Sequence, residues 1–88
     1  MSENLLKKDW KSEACTIETE ILRYEEKNRI YPEGNFKNIF YCRSKTNPQG
    51  RMCIYWSRMT AEPGDKVILT GRSDNDIFLV WKLTVLKS

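Results

Sequence analysis

The chain has no histidine among its 88 residues. That removes the usual general base and every Ser/His or Cys/His catalytic arrangement. Three cysteines, Cys15, Cys42 and Cys53, stand with no CxxC spacing. Three thiolates without a histidine do not complete an ordinary four-ligand zinc site. No stretch approaches the roughly 18 consecutive apolar residues of a membrane span, and the start, MSENLLKKDW, lacks the apolar run of a secretory signal. Reduced thiols and an intracellular setting, cytoplasmic or nucleoid/nuclear, are therefore expected. There are no repeats and no low-complexity tract, and no carboxylate pair stands out for acid–base work. The expectation is a protein that is not an enzyme and uses no metal, cofactor or membrane. The length allows one domain only.

What the chain does have is a charge asymmetry. Residues 1–34 hold six bases and eight acids, and residues 61–88 hold four of each. Between Phe36 and Thr60 there are five bases and no acid, so the net +3 originates there. The bases are Lys37, Arg43, Lys45, Arg51 and Arg58, interleaved with Phe36, Phe40, Tyr41, Tyr55 and Trp56. Cations alternating with flat rings suit a polyanion with stackable faces, namely a single-stranded nucleic acid. A solvated basic hairpin with its aromatics in the core is the competing reading.

Period-two alternation begins after residue 14 and runs through Cys15–Ile21; it changes phase at Leu22-Arg23-Tyr24, where a bulge or bend is expected. Glu25–Arg29 reads as the end of that strand, and Tyr31-Pro32-Glu33-Gly34-Asn35 as a turn. Phe36–Lys45 and Arg51–Arg58 then form a hairpin around Thr46–Gly50, followed by strands Lys66–Arg72 and Ile77–Leu86. Five strands with almost no helix predict an all-β fold, a small closed barrel over residues 13–88. Residues 1–12 form an N-terminal arm or helical turn, with Leu5, Leu6 and Trp10 as its apolar contacts. A five-residue hairpin loop places Lys45 opposite Arg51, Arg43 opposite Cys53 and Tyr41 opposite Tyr55. That register puts Phe40, Met52, Ile54 and Trp56 inside and the Tyr–Tyr pair outside among cations. In the last strand Trp81 falls on the core face and Phe78 and Val80 on the other.

The segment PGDKVILTGRSDNDIFLVWKLTVLK, residues 63–87, resembles the closing half of an OB-fold nucleic-acid-binding domain. Gly64-Asp65 leads a fourth strand ending in Gly71, and a short loop and long alternating strand follow. The resemblance, over roughly residues 12–87, implies a five-stranded OB-like barrel of the replication protein A or telomere-binding type. It implies ligand binding across the second and third strands, where the basic aromatic hairpin falls. Two departures are visible: Ser57–Pro63 is too short for the helix often found there, leaving Leu5, Leu6 and Trp10 to plug the barrel, and Ser73–Asp76 carries two acids and no aromatic.

The function expected is a single-strand binding module with little sequence preference, DNA ahead of RNA. Arg43, Lys45 and Arg51 would neutralise phosphates, Tyr41 and Tyr55 would stack bases, and Lys37 and Arg58 would extend the track. The alternative is a protein-interaction subunit of a larger replication, repair or RNA-processing complex, with a protein partner or a second copy docking on the barrel. A third reading, an SH3-like barrel with an aromatic cage, needs about three converging rings, of which the sequence places two.

Overall fold

A computed structural model describes residues 14–86 as five strands: β1 Cys15–Ile30, β2 Phe36–Cys42, β3 Arg51–Tyr55, β4 Lys66–Asp74 and β5 Ile77–Leu86. They close into a barrel in the order β1-β2-β3-β5-β4, with β4 returning to β1. The β3–β5 pair is parallel and the others are antiparallel. This is the small closed barrel expected from the alternation, and it matches the five-stranded OB-like barrel that the resemblance implied. Among the described residues there is no helix, hence none long and apolar enough to cross a membrane. The expected arm at 1–12 lies outside the described residues.

Barrel closure rests on β1. Its first half pairs with β4, from Cys15↔Gly71 to Glu20↔Lys66, and its second half pairs with β2. Each extra residue in one strand of a pair bends and twists it. Residues 21–30 of β1 lie against residues 36–42 of β2, so the strand absorbs three extra residues, at shifts after Ile21, Tyr24 and Glu26. The first is the expected bulge at Leu22. The expected break at Glu25–Arg29 is not there, because the strand runs on to Ile30. Arg23, Glu25, Lys27 and Arg29 are exposed while Tyr24, Glu26 and Asn28 are half-buried. The alternation persists, but with few apolar side chains to mark it.

The β2–β3 register differs from the expected one by three residues: Asn38↔Tyr55, Phe40↔Cys53, Tyr41↔Met52 and Cys42↔Arg51. The cause is the end of β2. Arg43 leaves its hairpin partner, and its N–H donates to the Glu20 carbonyl of β1. The connection then turns at Asn47–Gly50, where Gly50 takes φ +97° against Leu22 and Tyr41. An odd shift exchanges the faces of a strand. Cys53 is therefore fully buried, Tyr55 packs on the core, and Met52 and Ile54 lie outside the core cluster. Of the four side chains expected inside, only Phe40 is buried there, and Trp56 is 52% exposed.

In β5 the pairing jumps from Gly71↔Val80 to Thr70↔Lys82, leaving Trp81 as the extra residue. Phe78 and Val80 fill the core before this bulge, Leu83 and Val85 pack against it afterwards, and Trp81 is 55% exposed. The faces expected for Trp81 and for Phe78 and Val80 are thus reversed. Gly71 makes the jump possible, because a Cβ there would collide with the Leu79 backbone.

The barrel end lacking a helix is filled by Met59 and Ala61 from the β3–β4 connection, both buried; the expected plug of Leu5, Leu6 and Trp10 lies outside the described residues. Polar contacts seat this connection. The Tyr24 hydroxyl donates to the Ala61 carbonyl at 2.7 Å. The Asn28 side chain accepts from the Met59 N–H at 2.7 Å and donates to its carbonyl at 2.9 Å. Asn28 itself adopts φ +56°, a left-handed conformation that asparagine tolerates better than most residues. Its N–H donates to the side-chain oxygen of Asn38, the one fully buried polar residue among those described. The Asn38 amide donates to the carbonyls of Tyr55 at 3.2 Å and Ser57 at 2.7 Å. Leucine at this position strands three backbone groups in the interior. With about 1–3 kcal/mol lost for each unsatisfied buried group and partial relaxation, Asn38→Leu is expected to lower unfolding free energy in urea by about 2–4 kcal/mol. A loss below about 0.5 kcal/mol contradicts the clamp.

Candidate nucleic-acid interface

The seven residues singled out from the sequence do not form one platform. Tyr55 faces the core, so the expected Tyr41–Tyr55 pair does not exist; their strand partners are Met52 and Asn38. Arg51 pairs with Cys42 instead of facing Lys45. Its guanidinium lies 5.4 Å from the Phe78 ring and donates to the Ser73 hydroxyl at 2.6 Å. Arg43 and Lys45 sit on the β2–β3 connection, and Arg43 is ion-paired with Glu20 at 3.3 Å. Arg58 is exposed on the β3–β4 connection.

Lys37 and Tyr41 remain on the outer surface of β2, and each meets rings or cations that the sequence did not bring to it. The Lys37 ammonium lies 5.1 Å from the Trp56 ring and 6.0 Å from the Tyr31 ring. Those rings meet edge to face at 6.0 Å, and the Arg29 guanidinium lies 5.5 Å from Tyr31. Local structure fixes this group. Tyr31 closes the β1–β2 turn, its N–H donating to Asn35 and its carbonyl accepting from Gly34. The carbonyls flanking Trp56 are held by Asn38, so the indole is turned outward by a bond made in the core.

A second group lies farther along the strand. Lys37 and Tyr41 are four residues apart, roughly 13 Å at strand spacing. The Arg23 guanidinium stacks 4.1 Å from the Tyr41 ring centroid and donates to the Gln49 carbonyl at 2.8 Å. The Tyr41 hydroxyl donates to Glu25 at 3.0 Å. Between the two groups Ile39 pairs with Ile54, and Met52 and Ile54 continue to Ile77 and Leu79 on β5. These five side chains are half-buried and lie outside the core cluster. The surface is thus an apolar strip with an aromatic–cationic group at each end. Tyr31, Trp56, Arg23 and Arg29 are the residues sequence reasoning missed. Trp56 was assigned inside by the wrong register, and Arg23 and Arg29 were masked by the acids Glu25 and Glu26 beside them.

A different region, at the end of the barrel, is a depression of about 640 Å³ lined by Arg43, Lys45 and Lys66 together with Glu18 and Glu20. Charge is mixed there as it is on the outer face, where Arg29 is ion-paired with Glu26 at 3.0 Å. Among the described residues no cluster of His, Cys, Asp or Glu is arranged to hold a metal ion.

The hydrogen bond to Glu25 raises the Tyr41 pKa above the ordinary phenol value; burial and the carboxylate charge add to it, and the Arg23 charge opposes it. Phenolate formation requires giving up that bond, so the raised pKa holds the ring neutral into alkaline solution. Glu25→Ala is expected to lower the ionisation midpoint of Tyr41, read from its ring resonances in a pH titration. An unchanged or higher midpoint contradicts the contact.

No family model, curated protein or solved structure matches this chain.

Proposed function

We propose that this barrel binds single-stranded nucleic acid, DNA ahead of RNA, across the outer face of β1, β2 and β3, with little sequence preference. The observation that carries the reading is the group of exposed Trp56 and half-buried Tyr31 with Lys37 and Arg29 over their rings. An exposed cation–π contact contributes about 0.5–1 kcal/mol, whereas stacking a base on an aromatic contributes about 1–3 kcal/mol. A base therefore displaces the ammonium from the ring face, and the freed ammonium neutralises the neighbouring phosphate. Tyr41 with Arg23 offers the same exchange at the other end of the strip. Ile39 and Ile54 supply a flat apolar floor between them. The reading fits the ligand-binding side of OB-fold proteins of the replication protein A and telomere-binding kind. It assigns the chain a binding role and no catalysis.

Of the residues expected from sequence, Lys37 and Tyr41 keep direct roles. Arg43, Lys45, Arg51 and Arg58 supply longer-range attraction, and Tyr55 supports the sheet from inside. Engagement of three to five phosphates gives a log–log salt slope of roughly −2 to −3.5.

The second reading is docking of a protein on the same surface. It is favoured by the contiguous Ile39, Met52, Ile54, Ile77 and Leu79 strip, which is more apolar than a nucleic-acid track requires.

Fluorescence anisotropy with matched dT, rU and duplex probes separates the two. Single strands are expected to bind ahead of duplex, and Trp56→Ala or Tyr31→Ala to weaken dT binding by roughly tenfold with an unchanged circular-dichroism spectrum. No binding to any probe, or wild-type affinity in both variants, rejects the nucleic-acid reading.

A further inference from the structure

Two of the three cysteines are brought together by the fold and used by nothing described so far. Cys42 on β2 and Cys53 on β3 are buried, free, and 3.5 Å apart at sulfur. They occupy diagonal positions, since Cys42 pairs with Arg51 and Phe40 pairs with Cys53. The two sulfurs differ in their surroundings. Cys53 lies deeper, and its thiol donates towards Cys42, with the Arg51 carbonyl as a second acceptor. Cys42 lines a surface depression of about 380 Å³ together with Thr19, the cations Arg43, Lys45 and Arg51 and one acid, Glu18. A thiol in a depression with more cations than acids, with a second thiol in contact with it, has the arrangement of an attacking and a resolving cysteine. The remaining cysteine, Cys15, is exposed on β1.

We propose that Cys42 and Cys53 form a peroxide-reactive pair, Cys42 attacking and Cys53 resolving, that closes to an intramolecular disulfide joining β2 to β3 inside the barrel. The substrate class is a hydroperoxide as small as hydrogen peroxide, because Cys42 is only 1% exposed. In the first step the Cys42 sulfur attacks one peroxide oxygen and the O–O bond breaks. The leaving hydroxide takes a proton and departs as water, and Cys42 becomes a sulfenic acid. In the second step the Cys53 sulfur attacks the Cys42 sulfur and the S–O bond breaks. The displaced hydroxide leaves as a second water with the Cys53 proton. The thiol pair loses two electrons and two protons, and one peroxide is reduced to two waters. The acid–base asymmetry agrees with these roles. The hydrogen bond from Cys53 and the nearby Arg51 charge lower the Cys42 pKa, while donating that bond and deep burial raise the Cys53 pKa.

The test uses the full chain carrying Cys15→Ser, a change at an exposed position that leaves the buried pair alone. The folded protein is treated with hydrogen peroxide, quenched with catalase, unfolded and alkylated with iodoacetamide. The two alkylatable thiols are expected to fall to none, and trypsin is expected to release residues 38–43 joined to residues 52–58. Dithiothreitol is expected to restore both thiols. In a second variant, Cys53→Ser, dimedone present while the peroxide-treated protein is unfolded is expected to label Cys42. Two thiols still alkylated after treatment, sulfinic acid at Cys42 with Cys53 reduced, or covalent dimers in place of the joined peptides each overturn the proposal. Oligonucleotide binding plays no part in this readout, so its outcome is separate from that of the nucleic-acid reading.

Discussion

The side chain of Asn38 ties the interior of this barrel to its outer face. One buried carboxamide accepts from β1 through Asn28 and donates to two carbonyls, one at the end of β3 and one just beyond it. A buried polar group survives only when satisfied, and this one is satisfied by backbone groups from two distant parts of the chain. Through Asn28 it also fixes the β3–β4 connection, whose Met59 and Ala61 are buried in the core. The same two donated bonds bracket Trp56 and hold it outward. Core closure and surface presentation are thus consequences of one hydrogen-bonding arrangement.

Strand β1 is the other half of that constraint. Three extra residues against β2 give it the bend that lets one continuous strand serve both sides of a closed sheet. Two of the shifts fall within the charged stretch after Tyr24. Bulging costs little there, because outward charges stay in water and inward positions hold only Tyr24, Glu26 and Asn28.

Strand number, order of elements and the Leu22 bulge were legible because period-two alternation survives wherever apolar residues mark the inner face. The register of the central hairpin was not legible. Loop length by sequence suggested five residues, but the backbone of Arg43 is taken by Glu20 of β1, a contact 23 residues away that no local pattern encodes. The resulting odd shift moved Cys53 and Tyr55 inward and Met52, Ile54 and Trp56 outward, so the ring nearest Lys37 went unrecognised. Trp81 was misplaced because it is itself the extra residue at this bulge: even positions face inward before it and odd positions after it. Composition did locate the basic, aromatic segment, and its Lys37, Tyr41 and Trp56 stand on the proposed surface. The other partners, Arg23, Arg29 and Tyr31, come from β1 and the turn after it, where acids concealed the cations.

The outer face combines features that stability alone does not require: an exposed indole, a tyrosine across from it, cations over both, and an apolar strip leading to a second cation-covered tyrosine. The measurement that tests this assignment most directly is a titration of isotope-labelled protein with a dT oligonucleotide, followed by backbone and indole NMR shifts. The account predicts perturbations concentrated on Tyr31, Lys37, Ile39, Tyr41, Ile54 and the Trp56 indole. Shifts confined to the barrel end around Glu18, Arg43 and Lys66, or no shifts on β2 and β3, would contradict it.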